Sequence, residues 1–214
     1  MELLKNKLES MMNASKEKLP ESVESIFKKA IEELQKNATE YGLKIGEKAP
    51  NFMLENQLGE TVELKKVLEE KKVVLVFYRG AWCPYCNLQL KAYQEILSEI
   101  VALNGTLIAI NPQMPDDGMK LSEKLNLRFD VLSDPDLKAI ESYHLKYELP
   151  EDLREVYKKL GLDLSQLNAN HNWELPITAT FIIDQLGMIC HAYTDVDYKH
   201  RMEPKDILSI LSVM

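Results

Sequence analysis

Two cysteines three positions apart are the residues of this chain best suited to chemistry. Cys83 and Cys86 lie in the stretch FYRGAWCPYCNLQL (77–90), directly after an apolar, β-branched run. If that run is a strand and the next residues open a helix, free N–H groups and the helix dipole favour a thiolate there. Residues three apart on a helix are also close enough to form a disulfide. The pair can therefore supply both a reactive thiolate and a reversible disulfide.

Two other interpretations of the pair are weaker. A zinc site needs about four ligands, usually including a second close pair of Cys or His. The remaining candidates are scattered and contain no second C-x-x-C: His144, His171, Cys190, His191 and His200. Inert core cysteines are expected inside strands, and the pair follows a strand. Cys190 falls within the predicted strand GMICHAY, so we assign it a structural role and predict no bound metal.

The composition argues against several classes of function. The 214-residue chain has a formal net charge of -8 and no block of basic residues, so no nucleic-acid partner is predicted. It contains no uncharged apolar run of about 18 residues, and its N-terminus lacks the apolar segment of a signal peptide. We therefore expect no membrane span and a cytoplasmic location. An odd count of three cysteines also argues against a structural disulfide framework.

The apolar pattern predicts strands that alternate with helices around the cysteine pair. KVVLVFY (72–78) and GTLIAINP (105–112) are continuous apolar runs typical of central strands, and each precedes a helical pattern. TATFIIDQLGMICHAYT (178–194) indicates two strands joined by a turn, before a terminal helix. These elements predict an α/β fold with a mixed β-sheet flanked by helices.

Two segments are predicted to lie outside this pattern. Residues 1–44 show no strand pattern, and their apolar residues recur at helical spacing from Val23 to Leu34. We predict that they form an N-terminal helical extension of a domain covering residues 45–214. Residues 148–175 are a longer polar insert with a helical first half.

The cysteine stretch resembles the thioredoxin superfamily. CPYC after a strand is a glutaredoxin pattern, and the tryptophan before it is similar to the WC of thioredoxins. Over a longer span, VVLVFYRGAWCPYC (73–86) resembles the peroxiredoxins, the alkyl hydroperoxide reductase/thiol-specific antioxidant family. IGEKAPNFMLENQLGETVEL (45–64) and TATFIIDQLGMI (178–189) are similar to further segments of that family. The resemblance covers about residues 44–214 and implies a thioredoxin-like fold of the peroxiredoxin type.

Within the family, the sequence is most similar to a subgroup with R-G-x-W-C-P-Y-C and an ending like DVDYKHRMEP (195–204). Peroxiredoxins carry P-x-x-x-T-x-x-C, with the peroxide-attacking cysteine last. In that register Cys86 takes the attacking position, Cys83 the Thr position and Arg79 the Pro position. The family's arginine before its last strand pair falls on Thr178. Of the usual Pro, Thr, Cys and Arg set, only Cys86 is retained.

Fast peroxide reduction needs groups that stabilise charge on the leaving oxygen as well as a thiolate. Arg79 is the nearest candidate along the chain, and Arg128 is a second if the fold returns it to the site. We expect Trp82 and Tyr85 to wall the pocket around the cysteines, and we include Thr178 in that pocket because of its register.

Three functions remain open from the sequence. In a thiol peroxidase, Cys86 becomes a sulfenic acid, Cys83 condenses with it, and thioredoxin or a glutathione-type thiol reduces the disulfide. In a thioredoxin- or glutaredoxin-like disulfide oxidoreductase, Cys83 attacks first and Cys86 resolves. In a non-enzymatic redox sensor, the disulfide changes a surface. The first is favoured; it implies a peroxide substrate, no cofactor, and a possible homodimer.

Overall fold

The computed structural model describes residues 3–214, whose strands form one large sheet and one small ribbon. The large sheet has seven strands in the order β2-β1-β5-β4-β3-β8-β9, and β6 pairs with β7 alone. In chain order the strands are β1 (Met53–Asn56), β2 (Thr61–Glu63), β3 (Lys72–Phe77), β4 (Gly105–Asn111), β5 (Asp130–Ser133), β6 (Lys146–Glu148), β7 (Glu174–Pro176), β8 (Thr178–Ile183) and β9 (Ile189–Asp195).

Strand β3 is the centre of the large sheet. It runs parallel to β4 and antiparallel to β8, and from Val73 to Phe77 it is completely buried. Its β-branched and aromatic side chains alternate between two apolar layers, one on each face. A strand covered on both faces requires the continuous apolar run found in the sequence. The carboxyl end of β3 delivers the chain directly to the cysteines.

Ten α-helices cover the sheet and its edges within the described residues. They are α1 (Leu4–Lys16), α2 (Glu21–Lys36), α3 (Leu64–Glu70), α4 (Pro84–Glu95), α5 (Leu97–Ala102), α6 (Pro115–Leu125), α7 (Lys138–Ser142), α8 (Glu151–Lys159), α9 (Leu164–Leu167) and α10 (Pro204–Leu211). None of these helices combines the length and the hydrophobicity that crossing a membrane requires.

The two N-terminal helices pack against different parts of the chain. Helix α1 lies on α4, and its buried Leu4 and Leu8 belong to the same apolar cluster as the two cysteines. Glu203 accepts hydrogen bonds from the first backbone N–H groups of α1, including that of Leu4 at 3.2 Å. Helix α2 packs on α8, where Phe27 lies beside Tyr157. The residues predicted as an N-terminal helical extension therefore cover both the cysteine pair and the polar insert.

The predicted fold class is confirmed, with two local differences. The mixed sheet and its flanking helices follow the strand and helix pattern of the sequence. The β6–β7 ribbon was not predicted, because strands of three residues are too short to show alternation. The insert is polar in composition, but it also contributes to the core, because Leu153, Tyr157 and Leu164 are buried in a third apolar cluster.

Candidate active site

A tight turn connects β3 to α4 and fixes the position of the first cysteine. Cys83 immediately precedes the helix in an extended conformation, and Pro84 occupies the first helical position, where its fixed φ suits a helix start. The Cys83 N–H donates to the Gly80 carbonyl at 3.1 Å. Gly80 has a φ of 144°, and a Cβ there would lie 2.5 Å from Trp82 Nε1. The turn therefore requires glycine at this position.

Both sulfurs of the pair are buried and interact with each other. Cys83 and Cys86 are free thiols with 1% and 0% of their surface exposed. The interaction between the two thiols lowers the pKa of Cys86 and raises the pKa of Cys83. Cys86 is the third residue of α4, within the first turn, where the positive end of the helix dipole acts. This arrangement favours the negative charge on Cys86 and the proton on Cys83.

Arg201 approaches Cys86 from the loop between β9 and α10. Its Nη2 lies 3.5 Å from the Cys86 sulfur. The guanidinium is held by its Nε, which donates to Gln89 Oε1 at 2.7 Å, and by Nη1, which donates to the His200 carbonyl at 2.6 Å. Tyr93 fixes the same loop through a 2.9 Å bond to the Met202 carbonyl. Helix α4 thus carries both the thiol and the side chains that aim the arginine at it.

The surroundings shift the pKa values of the two thiols in opposite directions. Burial raises the pKa of Cys86, but the hydrogen bond from Cys83 and the positive charges of Arg201 and Arg79 outweigh it and lower that pKa to about 5. Burial raises the pKa of the Cys83 thiol well above its ordinary value, and its bond and proximity to Cys86 raise it further. These opposite shifts favour a thiolate on Cys86 and a protonated thiol on Cys83.

Arg79 is a second buried cation, and it lies beside Cys83. Its Nη1 is 4.0 Å from the Cys83 sulfur, and its Nη2 donates to the Tyr157 hydroxyl. The guanidinium carbon lies 4.0 Å from the ring centre of Tyr198 and 5.0 Å from that of Trp82. Arg79 therefore contributes charge to the pair, but its direct sulfur contact is with the donor thiol.

The three pocket candidates occupy different places. Trp82 is half-buried and stacks near Arg79, whereas Tyr85 packs edge-on against Tyr198 with ring centres 5.6 Å apart. Both rings therefore border the cysteine turn. The hydroxyl of Thr178 donates instead to the Asp195 carbonyl at 3.4 Å, between strands β8 and β9. We place Thr178 in the sheet beside the site, with no sulfur contact.

Sequence reasoning missed Arg201 and considered Arg128 instead. Arg128 is exposed just before β5, at the amino end of a parallel strand, whereas the cysteines follow the carboxyl end of β3. Because β3 and β5 both run parallel to β4, the two positions lie at opposite ends of the strands. Arg201 lies within DVDYKHRMEP, the ending that resembles one peroxiredoxin subgroup, and this was the only signal for it in the sequence.

The chain is similar to a known protein family, to several relatives in sequence and to solved structures. The sequence model of the AhpC/TSA family matches residues 45–192. A putative peroxiredoxin Bcp of Helicobacter pylori is 30% identical over 157 residues, covering 73% of this chain and 91% of the relative. The thiol-disulfide oxidoreductase ResA of Halalkalibacterium halodurans is 31% identical over 102 residues, covering 47% and 57%. The crystal structure of peroxidoxin BcpB from Mycobacterium tuberculosis gives a TM-score of 0.63 at 20% identity, covering 80% and 98%. Helices α1 and α2 and Arg201 lie outside the family match.

Proposed function

The chain belongs to the AhpC/TSA family and is a thiol-dependent peroxidase, and we propose that Cys86 attacks the peroxide and that Cys83 resolves the product. One observation carries this assignment. Arg201 Nη2 lies 3.5 Å from the Cys86 sulfur, and its positive charge lowers the pKa of Cys86. Of two neighbouring sulfurs, the one in direct contact with a cation at a helix N-terminus is the one favoured to carry the negative charge.

In the first step, the Cys86 thiolate attacks the terminal oxygen of the peroxide. The O–O bond breaks, the S–O bond forms, and the departing oxygen takes up a proton to leave as water or an alcohol. Cys86 becomes a sulfenic acid, oxidised by two electrons, and the peroxide is reduced by the same two. Arg201 is positioned to stabilise the charge that develops on the departing oxygen, because it already contacts the attacking sulfur.

In the second step, the Cys83 sulfur attacks the Cys86 sulfenic acid. The S–S bond forms as the S–O bond breaks, and the hydroxyl leaves as water with the proton from Cys83. The pair can close because residues three apart at a helix start lie within the separation that a disulfide tolerates. No third cysteine is needed, and Cys190 lies on the edge strand β9.

A thiol reductant completes the cycle by supplying two electrons to the Cys83–Cys86 disulfide. We propose thioredoxin or a glutathione-type thiol for this step and a cytoplasmic location, where such thiols are kept reduced. We also propose that residues 45–214 form the peroxidase domain and residues 1–44 its helical extension. A homodimer has less support, because the apolar face of α2 packs on α8 of the same chain; sedimentation velocity tests it.

A disulfide oxidoreductase is the second candidate function. It has a specific basis in the similarity to ResA, a thiol-disulfide oxidoreductase, over 102 residues of this chain. In this function Cys83 attacks a substrate disulfide and must be an accessible thiolate. Cys83 is instead 1% exposed, and burial raises its pKa. These two properties favour the peroxidase assignment of roles.

Rapid mixing of the reduced protein with hydrogen peroxide tests the assignment. We expect Cys83→Ser to react at a rate near that of the parent and to accumulate a sulfenic acid that a trapping reagent captures. Cys86→Ser should react no faster than a free thiol, and Cys190→Ser, the matched control, should behave like the parent. If Cys86→Ser keeps the parent rate while Cys83→Ser loses it, the roles are reversed.

A further inference from the structure

A cavity of about 400 Å³ lies between helices α2 and α8 and ends at Arg79. Most of its walls are apolar or aromatic. Phe27, Ala30 and Leu34 come from α2, and Leu153 and Tyr157 come from α8. Its volume is within the range of small-molecule sites, about 300–1,000 Å³. Neither cysteine lines the cavity, so it is separate from the peroxide site, and Arg79 is the cavity residue that contacts a cysteine sulfur.

Arg79 is a buried cation without a carboxylate partner. The residue is 2% exposed, and within residues 3–214 no Asp or Glu oxygen lies within ion-pair distance of it. Its Nε is buried and has no hydrogen-bond partner in this part of the chain. Its remaining contacts are the Tyr157 hydroxyl, a protonated Cys83 thiol at 4.0 Å and three aromatic rings. Aromatic faces offset only part of the cost of burying a charge.

The other charged residues of the cavity lie at its mouth and already have partners. Arg154 Nη2 lies 2.5 Å from Glu148, and Lys36 Nζ lies 2.6 Å from Glu33. Both acids are exposed. The charges at the mouth of the cavity are therefore of both signs and already paired. Its walls are mostly apolar, and its inner end carries a positive charge that has no carboxylate partner among the described residues.

We propose that this cavity binds a monocarboxylate with an apolar chain, its carboxylate on Arg79 and its chain along the walls from α2 and α8. A guanidinium offers paired N–H donors that match the two oxygens of a carboxylate. One cation favours one negative charge, and the exposed acids at the mouth disfavour a ligand that carries more. The apolar walls require the rest of the ligand to be hydrocarbon. The guanidinium of Arg79 would then lie between the ligand and the Cys83 sulfur. Binding this ligand would be a function beyond peroxide reduction.

Calorimetric titration of the reduced full-length protein with octanoate tests this site, with octanol as the uncharged probe of equal chain length. We expect octanoate to bind at least about tenfold more tightly than octanol, the factor typical of one hydrogen-bonded charge. Arg79→Met should weaken octanoate binding at least about tenfold and leave octanol binding unchanged. Ala30→Phe fills the apolar part and should weaken both probes. Arg154→Gln, the matched arginine at the mouth, should leave octanoate affinity within about threefold of the parent.

Equal affinity for octanoate and octanol would overturn the proposal, as would absence of octanoate binding to the parent. A loss in Arg154→Gln as large as that in Arg79→Met would place the anion at the mouth and also overturn it. If Arg79→Met does not fold, the Ala30→Phe result and the comparison of octanoate with octanol still test the proposed site. Cys86→Ser should bind octanoate like the parent, so the outcome is independent of the assignment of the peroxidase cysteines.

Discussion

Replacing Arg201 with glutamine removes the cation that lies 3.5 Å from the Cys86 sulfur. At this distance, with an effective dielectric constant of about 20, a guanidinium–thiolate pair is worth about 5 kcal/mol. This is an upper bound, because glutamine and entering water restore part of the stabilisation. An opposite charge this close usually lowers a pKa by about 1 to 3. Starting from a pKa of about 5 for Cys86, a rise of about 2 leaves the thiol about half ionised at pH 7.

Ionisation is the smaller of two losses expected in Arg201→Gln. Halving the thiolate slows peroxide reduction only about twofold. Losing one preorganised donor to the charge that develops on the departing oxygen typically costs about 10²–10³ in rate. We therefore expect the rate constant with hydrogen peroxide to fall by about 10² or more at pH 7. A large deficit should persist at pH 9, where both proteins have an ionised Cys86.

Rapid-mixing rates between pH 5 and pH 9, together with the ultraviolet absorbance of the thiolate, separate the two losses. Arg128→Gln, which removes an exposed arginine far from the site, is the control and should match the parent. Recovery of the parent rate at pH 9 would show that Arg201 acts on ionisation alone. An unchanged thiolate titration in Arg201→Gln would refute the electrostatic coupling between Arg201 and Cys86.

Three further predictions concern the structure around the pair. Gly80→Ala should lower the free energy of unfolding more than Gly46→Ala, since both have positive φ but only Gly80 has Trp82 within 2.5 Å of the new Cβ; equal losses in urea titrations would contradict this. Leu8→Ala should destabilise the packing of α1 on α4 by about 2–5 kcal/mol and speed alkylation of the buried thiols, with exposed Leu3→Ala as control; unchanged alkylation would show that α1 does not limit access. The reduced parent should gain stability over reduced Cys86→Ser as pH rises from about 5 to about 8, by at most about 1.4 kcal/mol per pH unit. In this pH range Cys86 is protonated in the unfolded protein but ionised in the folded protein. If the difference in unfolding free energy between the two proteins does not change with pH in denaturant titrations, the lowered pKa is contradicted.

The parts of this molecule that the sequence predicts are those with a local cause. Continuous apolar runs identify β3 and β4 because a strand buried on both faces has no polar position to break the run. The position of Cys83 before a helix follows from a strand, a turn and Pro84. Arg79 was a candidate because it is four residues from Cys83, and the structure places it on that cysteine.

The parts that the sequence does not predict depend on contacts between distant residues. Arg201 is 115 positions from Cys86, in a loop without periodicity, and nothing in its neighbours indicates which side chain it will meet. The same holds for α1. The sequence predicts a helical extension over residues 1–44 but gives no reason to place it over the cysteines rather than elsewhere. Thr178 was included through its register in a family pattern, but the charge that the pattern supplies from that strand comes here from the C-terminal loop.

The interaction between Cys83 and Cys86 gives the two chemical steps an order. Three effects raise the pKa of Cys83. They are its burial, its hydrogen-bonding interaction with the Cys86 thiolate, and the negative charge of that thiolate. The last two disappear once Cys86 becomes a neutral sulfenic acid, whereas the positive charges of Arg79 and Arg201, which lower the pKa of Cys83, remain. Oxidation of Cys86 should therefore activate Cys83, which stays protonated until it is needed as a nucleophile.

Cys86→Ser tests this order, because a serine is neutral at the attacking position. In the parent, the thiolate absorbance should rise in two steps that belong to the coupled pair, the second at high pH. In Cys86→Ser, Cys83 should ionise at a lower pH than this second step, because the neighbouring negative charge is absent. Adding Arg79→Met to that variant should move the ionisation back up. If Cys83 in Cys86→Ser ionises no earlier than the second step of the parent, burial alone sets its pKa and the oxidation of Cys86 does not activate it.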